Sequence, residues 1–146
     1  MSNYNSSVSK SCIYELMATL LKEEEWLEDE SSFFTLDKEK SSLPFLLYMN
    51  RGNLFVGKGM EEGEGDWLLS SFFTLKTLHA DGACATLSVL EPIGIDGCRV
   101  ASFSEVFSLL ETNFCLTVDL TCFCAIQFLP SQLIERPLPD IESKCK

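Results

Sequence analysis

From Leu116 to Phe128 the even positions read Leu116, Val118, Leu120, Cys122, Cys124, Ile126 and Phe128, all apolar or Cys. The odd positions carry Thr117, Asp119, Thr121 and Gln127 among Phe123 and Ala125. A period of two is the mark of a strand, because successive side chains point to opposite faces. The pattern predicts one long strand over residues 112–129, about twice the usual 5 to 6 residues, with room for partners on both edges. It places Cys122 and Cys124 in the core beside Leu120 and Ile126.

Elsewhere the spacing changes. Ile13, Leu16, Met17, Leu20, Leu21 and Leu27 recur three, four and seven apart behind Ser11, so residues 12–28 are expected as an amphipathic helix with Ser11 as its N-cap. Acidic residues from Glu23 to Glu30 crowd the end of that helix, where the dipole disfavours them, and a fraying, solvated end is expected. Residues 31–42 are polar apart from an island of Phe33, Phe34 and Leu36.

Phe45, Leu47 and Met49 alternate with Leu46 and Tyr48 up to Arg51-Gly52, which predicts a hairpin pairing Met49 with Leu54 and Leu47 with Val56. Residues 57–66 hold four glycines and four acids, and are expected as a surface loop; the acids argue against phosphate binding there. For the hairpin of residues 72–78 and 84–90, a two-residue Asp81-Gly82 turn would set Lys76 opposite Leu87. A three-residue loop with Gly82 left-handed instead pairs Phe73 with Val89, Leu75 with Leu87 and Thr77 with Ala85, keeping one face apolar. Ser102 and Glu105 have capping-box spacing, which predicts a short helix over 103–111, with a strand at 98–103 as its competitor. Pro130, Pro137 and Pro139 mark the end of the pattern.

Together these elements predict a mainly β fold, a small antiparallel β-sandwich with an N-terminal amphipathic α-helix. One domain spans 12–129, with helix 12–28 and a β domain over 43–129. A disordered polar tail (1–11) precedes it and an extended, Pro-containing tail (130–146) follows.

Composition narrows the partners. Eleven basic against 22 acidic residues give a formal net charge of −11, so the chain repels nucleic acid and anionic lipid. No apolar run reaches the roughly 18 residues of a membrane span, and the first residues lack the apolar core of a signal peptide, so synthesis in a cytoplasm is expected. Seven cysteines are present. A reducing cytosol argues against a disulfide framework during folding, and the odd count leaves a thiol over. The absence of a Cys-x-x-Cys pair and the presence of only one His speak against a metal site, and nothing in the pattern calls for a cofactor. His79 sits at the mouth of a turn, where a solvated side chain is the expectation. With no paired carboxylates at strand ends and no Ser elbow, the chain is read as a non-enzyme.

Thr112, Cys115, Thr117, Val118, Asp119, Leu120, Cys122, Phe123, Cys124, Ala125, Ile126 and Gln127, with Thr121 in the place of Ser, closely resemble the C-terminal signature of the CotY/CotZ family of spore outer-coat and exosporium proteins. Pro44, Phe45, Leu47, Tyr48, Gly52 and Phe55 form a second matching block. Phe73-x-Leu75-x-x-Leu78 with Cys84-Ala85-x-Leu87-x-Val89-Leu90 forms a third. The chain departs in having Phe128 where members usually carry another Cys, and Cys12 alone near its start.

The resemblance implies a structural subunit that assembles with itself and other coat proteins into hexagonally ordered, disulfide-reinforced sheets. It implies synthesis in the mother-cell cytoplasm and deposition on the spore surface. Under that reading accessibility decides which thiols link chains. Cys12, Cys98, Cys115 and Cys145 are expected as the linking thiols, and Cys84, Cys122 and Cys124 as buried structural ones. Same-face residues two apart on a strand lie about 6.5 to 7 Å apart, too far and too parallel for Cys122 and Cys124 to bridge each other. The rival reading is a cytosolic Cys-based binding or redox-sensing module built on Cys122 and Cys124.

Overall fold

The computed structural model describes residues 11–30, 43–60, 67–80 and 82–139. The first ten residues, the Phe33–Leu36 island and Cys145 lie outside the described residues, and Leu27 and the acidic cluster of the helix lie outside the described side chains. Helix α1 (Cys12–Glu30) begins where expected. Ser11 Oγ accepts from the backbone N–H groups of Ile13 and Tyr14 at 3.0 and 3.2 Å, satisfying two donors that the first turn leaves open. Ile13 and Met17, four residues apart, are buried against the sheet, while Leu16 between them is exposed.

The strands are β1 (Phe45–Met49), β2 (Gly57–Met60), β3 (Trp67–Ser70), β4 (Phe73–Leu78), β5 (Cys84–Ile93), β6 (Ser108–Asp119) and β7 (Phe123–Phe128). Five of them form an antiparallel sheet in the order β6-β5-β4-β1-β7, and β2 pairs with β3 in a separate ribbon. The mainly β class with one N-terminal helix is as expected, and the ribbon lies over the larger sheet as its second layer.

The expected long strand is in fact two. A 3-10 turn, Leu120–Cys122, divides it, and its halves occupy opposite edges of the same sheet. The sheet therefore curls enough for the turn to bridge its two edges at one end, acting as a corner where the chain changes neighbours. Asp119 holds the corner: its side chain accepts from Thr121 N at 3.0 Å and Thr121 Oγ1 at 2.7 Å. Leu120 is fully buried and donates its N–H to Ala83 O at 2.8 Å.

The corner also moves the phase of the pattern. Leu116 and Val118 face inward with Leu120, but a 3-10 turn advances by three rather than two, so Phe123 takes the next buried place. The β1–β7 register shifts between Tyr48, opposite Ala125, and Met49, opposite Phe123, leaving Cys124 bulged out. Beyond it Ile126 and Phe128 face inward again.

The first hairpin turns through a three-residue loop, residues 50–52, one residue longer than expected. Met49 N–H donates to Asn53 O at 2.7 Å and Gly52 N–H to Met49 O at 2.8 Å, with Gly52 at φ 91, so Tyr48 faces Leu54 and Leu47 O accepts from Phe55 N. The second hairpin uses both candidate registers. Phe73 pairs with Val89 and Leu75 with Leu87, as expected, but then Thr77 meets Thr86 and Leu78 meets Ala85, so Lys76 is bulged out between them. The loop beyond closes with His79 N–H donating to Cys84 O at 2.9 Å, and Gly82 is left-handed at φ 86, as expected.

No atom lies within 4 Å of a Cβ built on Gly82, so Gly82→Val suffers only the backbone penalty. A destabilisation of about 1 to 2 kcal/mol is expected. A melting temperature unchanged within error contradicts it.

Residues 57–60, expected as loop, form β2. Its inward positions, Gly57 and Gly59, are buried because Phe73, Leu116 and Phe114 fill the space a side chain would take. The helix expected over 103–111 is one 3-10 turn, Phe103–Glu105, and Ser108–Glu111 already belong to β6. Ser102 caps nothing there; its hydroxyl meets Ser104 Oγ at 2.9 Å. The chain after Pro130 is docked as far as Arg136: Ile134 bridges to Leu109, Glu135 N–H donates to Leu109 O at 2.8 Å, and the Arg136 guanidinium lies 3.9 Å from the Phe107 ring centroid.

Candidate functional site

Chemistry on this surface belongs to its thiols. Cys12, Cys115, Cys122 and Cys124 are exposed and Cys84 is half-buried, all of them reduced. For Cys12 at the helix start and Cys115 at the strand entry, this is the accessibility expected. For Cys122 and Cys124 the expectation of burial is corrected: the first ends the 3-10 corner and the second occupies the β7 bulge, so neither follows the inward phase. The signal that could have shown this is Asp119-x-Thr121, whose short polar side chains bond the local backbone and interrupt a strand.

Three thiol-bearing segments meet at the corner. Ser11, next to Cys12, lies with its Oγ 3.5 Å from Leu120 O, Cys122 closes the turn, and Cys84 is the strand partner of Asp119. Cys124 Sγ donates to Met49 O at 3.1 Å. Cys115 stands apart, opposite Ser88 on β5, where Lys76 Nζ donates to its sulfur at 3.5 Å.

Cys98, expected as a linking thiol, is disulfide-bonded rather than a free thiol, and its backbone N–H is held by Asp96 Oδ1 at 3.1 Å.

His79 is half-buried rather than solvated. Its Nε2 lies 2.9 Å from Thr86 Oγ1, which in turn lies 3.3 Å from Thr117 Oγ1, and its carbonyl accepts from the Tyr14 hydroxyl. These contacts tie α1, the β4–β5 hairpin and β6 together. Among the described residues no group of His, Cys, Asp or Glu is arranged to hold a metal ion, and no helix is long and apolar enough to cross a membrane. The hollow between α1 and the sheet, lined by Met17, Leu20, Leu21, Leu43, Phe45, Leu75 and Phe128, is apolar and carries no reactive group.

Comparison with known proteins agrees with the motif reading. The family model described as spore coat protein Z matches residues 21–131. A spore coat protein Z of Bacillus subtilis (strain 168) is 35% identical over 102 residues, covering 65% of this chain and 68% of that protein. No solved structure matches. The matched span runs through the corner and all seven strands, and on it the chain belongs to the spore coat protein Z family.

Proposed function

We propose that the chain is a self-assembling coat subunit that packs against copies of itself and other coat proteins and is then locked by disulfides between chains. Its structural role in the spore coat, made in the mother cell and deposited on the spore surface, follows from the family. The lattice and its cross-links are the step beyond. One observation carries that step: four reduced cysteines are exposed, although Cys is among the residue types most often buried. A thiol needed only for packing would lie inside. Non-covalent packing comes first, because the mother-cell cytosol keeps thiols reduced, and oxidation afterwards converts contact into covalent linkage.

The test is a gel and a peptide map. Changing Cys12, Cys115, Cys122 and Cys124 together to Ser is expected to abolish thiol-sensitive multimers while leaving the melting temperature and any non-covalent sheets seen by negative-stain microscopy in place. Thiol-sensitive multimers that persist in the quadruple variant, or their absence from the original chain after oxidation, would overturn the reading. A monomer that carries zinc would favour a Cys-based binding or redox-sensing module instead.

A further inference from the structure

We propose that Lys76 and Cys115 form a reversible covalent S–N bridge across β5 when the protein meets a peroxide. The two residues sit on β4 and β6, with β5 between them. The bulge that removes Lys76 from the β4–β5 ladder sends its side chain over the outer surface of β5, where Nζ reaches 3.5 Å from Cys115 Sγ. Both residues are exposed, so a small oxidant has access to the sulfur and the lysine stem has freedom to close the remaining distance. Cys124 provides the contrast within the same chain. Its sulfur rests on a backbone carbonyl oxygen, which offers an oxidised sulfur no amine.

The step balances with hydrogen peroxide as the oxidant. The Cys115 sulfur attacks one peroxide oxygen, the O–O bond breaks, and the sulfur gives up two electrons, leaving a sulfenic acid and one water. Lys76, having lost its ammonium proton to solvent, attacks that sulfur through Nζ. The S–N bond forms, the S–O bond breaks, and the departing hydroxyl leaves as a second water with a proton from the nitrogen. An added thiol reverses the bridge by attacking its sulfur and releasing the amine. The bridge halts Cys115 short of the irreversible sulfinic acid. It stands on this geometry alone and holds whether or not Cys115 links chains.

Purified full-length protein is treated with hydrogen peroxide under conditions that keep it monomeric, digested, and mapped by mass spectrometry. The expected product joins the peptides containing Lys76 and Cys115 with the loss of two hydrogens, blocks tryptic cleavage after Lys76, and disappears on adding dithiothreitol. Lys76→Arg keeps the charge but is expected to lose the joined pair completely and to accumulate Cys115 sulfinic acid. Equal sulfinic acid at Cys115 in the original chain and in Lys76→Arg overturns the proposal, as does a bridge heavier by one oxygen. Multimers on a non-reducing gel, read separately through Cys12, Cys122 and Cys124, report on the lattice and not on this bridge.

Discussion

Phe73→Ala is expected to lower the free energy of unfolding by about 3 to 5 kcal/mol, the range for a fully buried aromatic ring cut back to a methyl group. Phe73 is 0% exposed and is the strand partner of both Phe45 on β1 and Val89 on β5. Its ring stacks on Phe55 with centroids 5.5 Å apart and lies 6.5 Å from the Phe45 ring. The same ring supports the ribbon from below, since a Cβ on Gly57 would come 3.1 Å from it. Removing it opens a hole shared by both layers, which cannot collapse without moving the sheet. Net stabilities of about 5 to 15 kcal/mol make such a loss a large part of the whole. Urea unfolding followed by far-UV circular dichroism should show a lower midpoint at unchanged slope. A loss below about 1 kcal/mol would mean that the ring is not at the centre of the core.

Gly59→Ala should cost about 1 to 3 kcal/mol through overpacking. The added Cβ would lie 2.6 Å from both Cγ and Cδ2 of Phe114, atoms at the base of the ring that cannot swing away as a flexible chain end could. The diagnostic is the pair rather than the single variant. With Phe114→Ala in the background, adding Gly59→Ala is expected to cost much less, a coupling of the kind seen only between touching residues. Strictly additive costs would show that the ribbon does not rest on Phe114.

Much of the fold was legible because its signals were local or strictly periodic. The helix start rests on a hydroxyl and two amides within three residues of Ser11, and the inward side of Leu116 and Val118 rests on alternation alone. What escaped notice needed information from distant parts of the chain. Gly57 and Gly59 are inward-facing strand positions, yet a hydrophobicity pattern registers them as breaks because the apolar atoms they sit against belong to Phe73, Phe114 and Leu116. The corner at Leu120 was hidden for the opposite reason. Counting Cys as apolar let the alternation run unbroken through Cys122 and Cys124, and so the same choice concealed the break and buried two surface thiols. At the candidate site, the accessibility of Cys12 and Cys115 was readable from position. The neighbour of Cys115 was not, because Lys76 reaches it only through a register shift.

The pairing of β1 with β7 sets a schedule for biosynthesis. Tyr48 donates its hydroxyl to Gln127 Oε1, and these residues are 79 apart in the chain. At roughly 5 to 20 residues per second, a ribosome that has just made β1 needs about 4 to 16 seconds more before its partner strand exists. In that interval β4 gives β1 only the Phe45–Phe73 pairing, while the β4–β5 hairpin and then β6 assemble through neighbours in sequence. The open edge of Phe45-Leu46-Leu47 is then a template for any strand nearby. Loop closure of this length also places the chain among slow folders. Crowded polysomes making a coat protein in quantity would meet that hazard chain against chain, and it ends for each chain only when the corner at Leu120 swings the last strand into place.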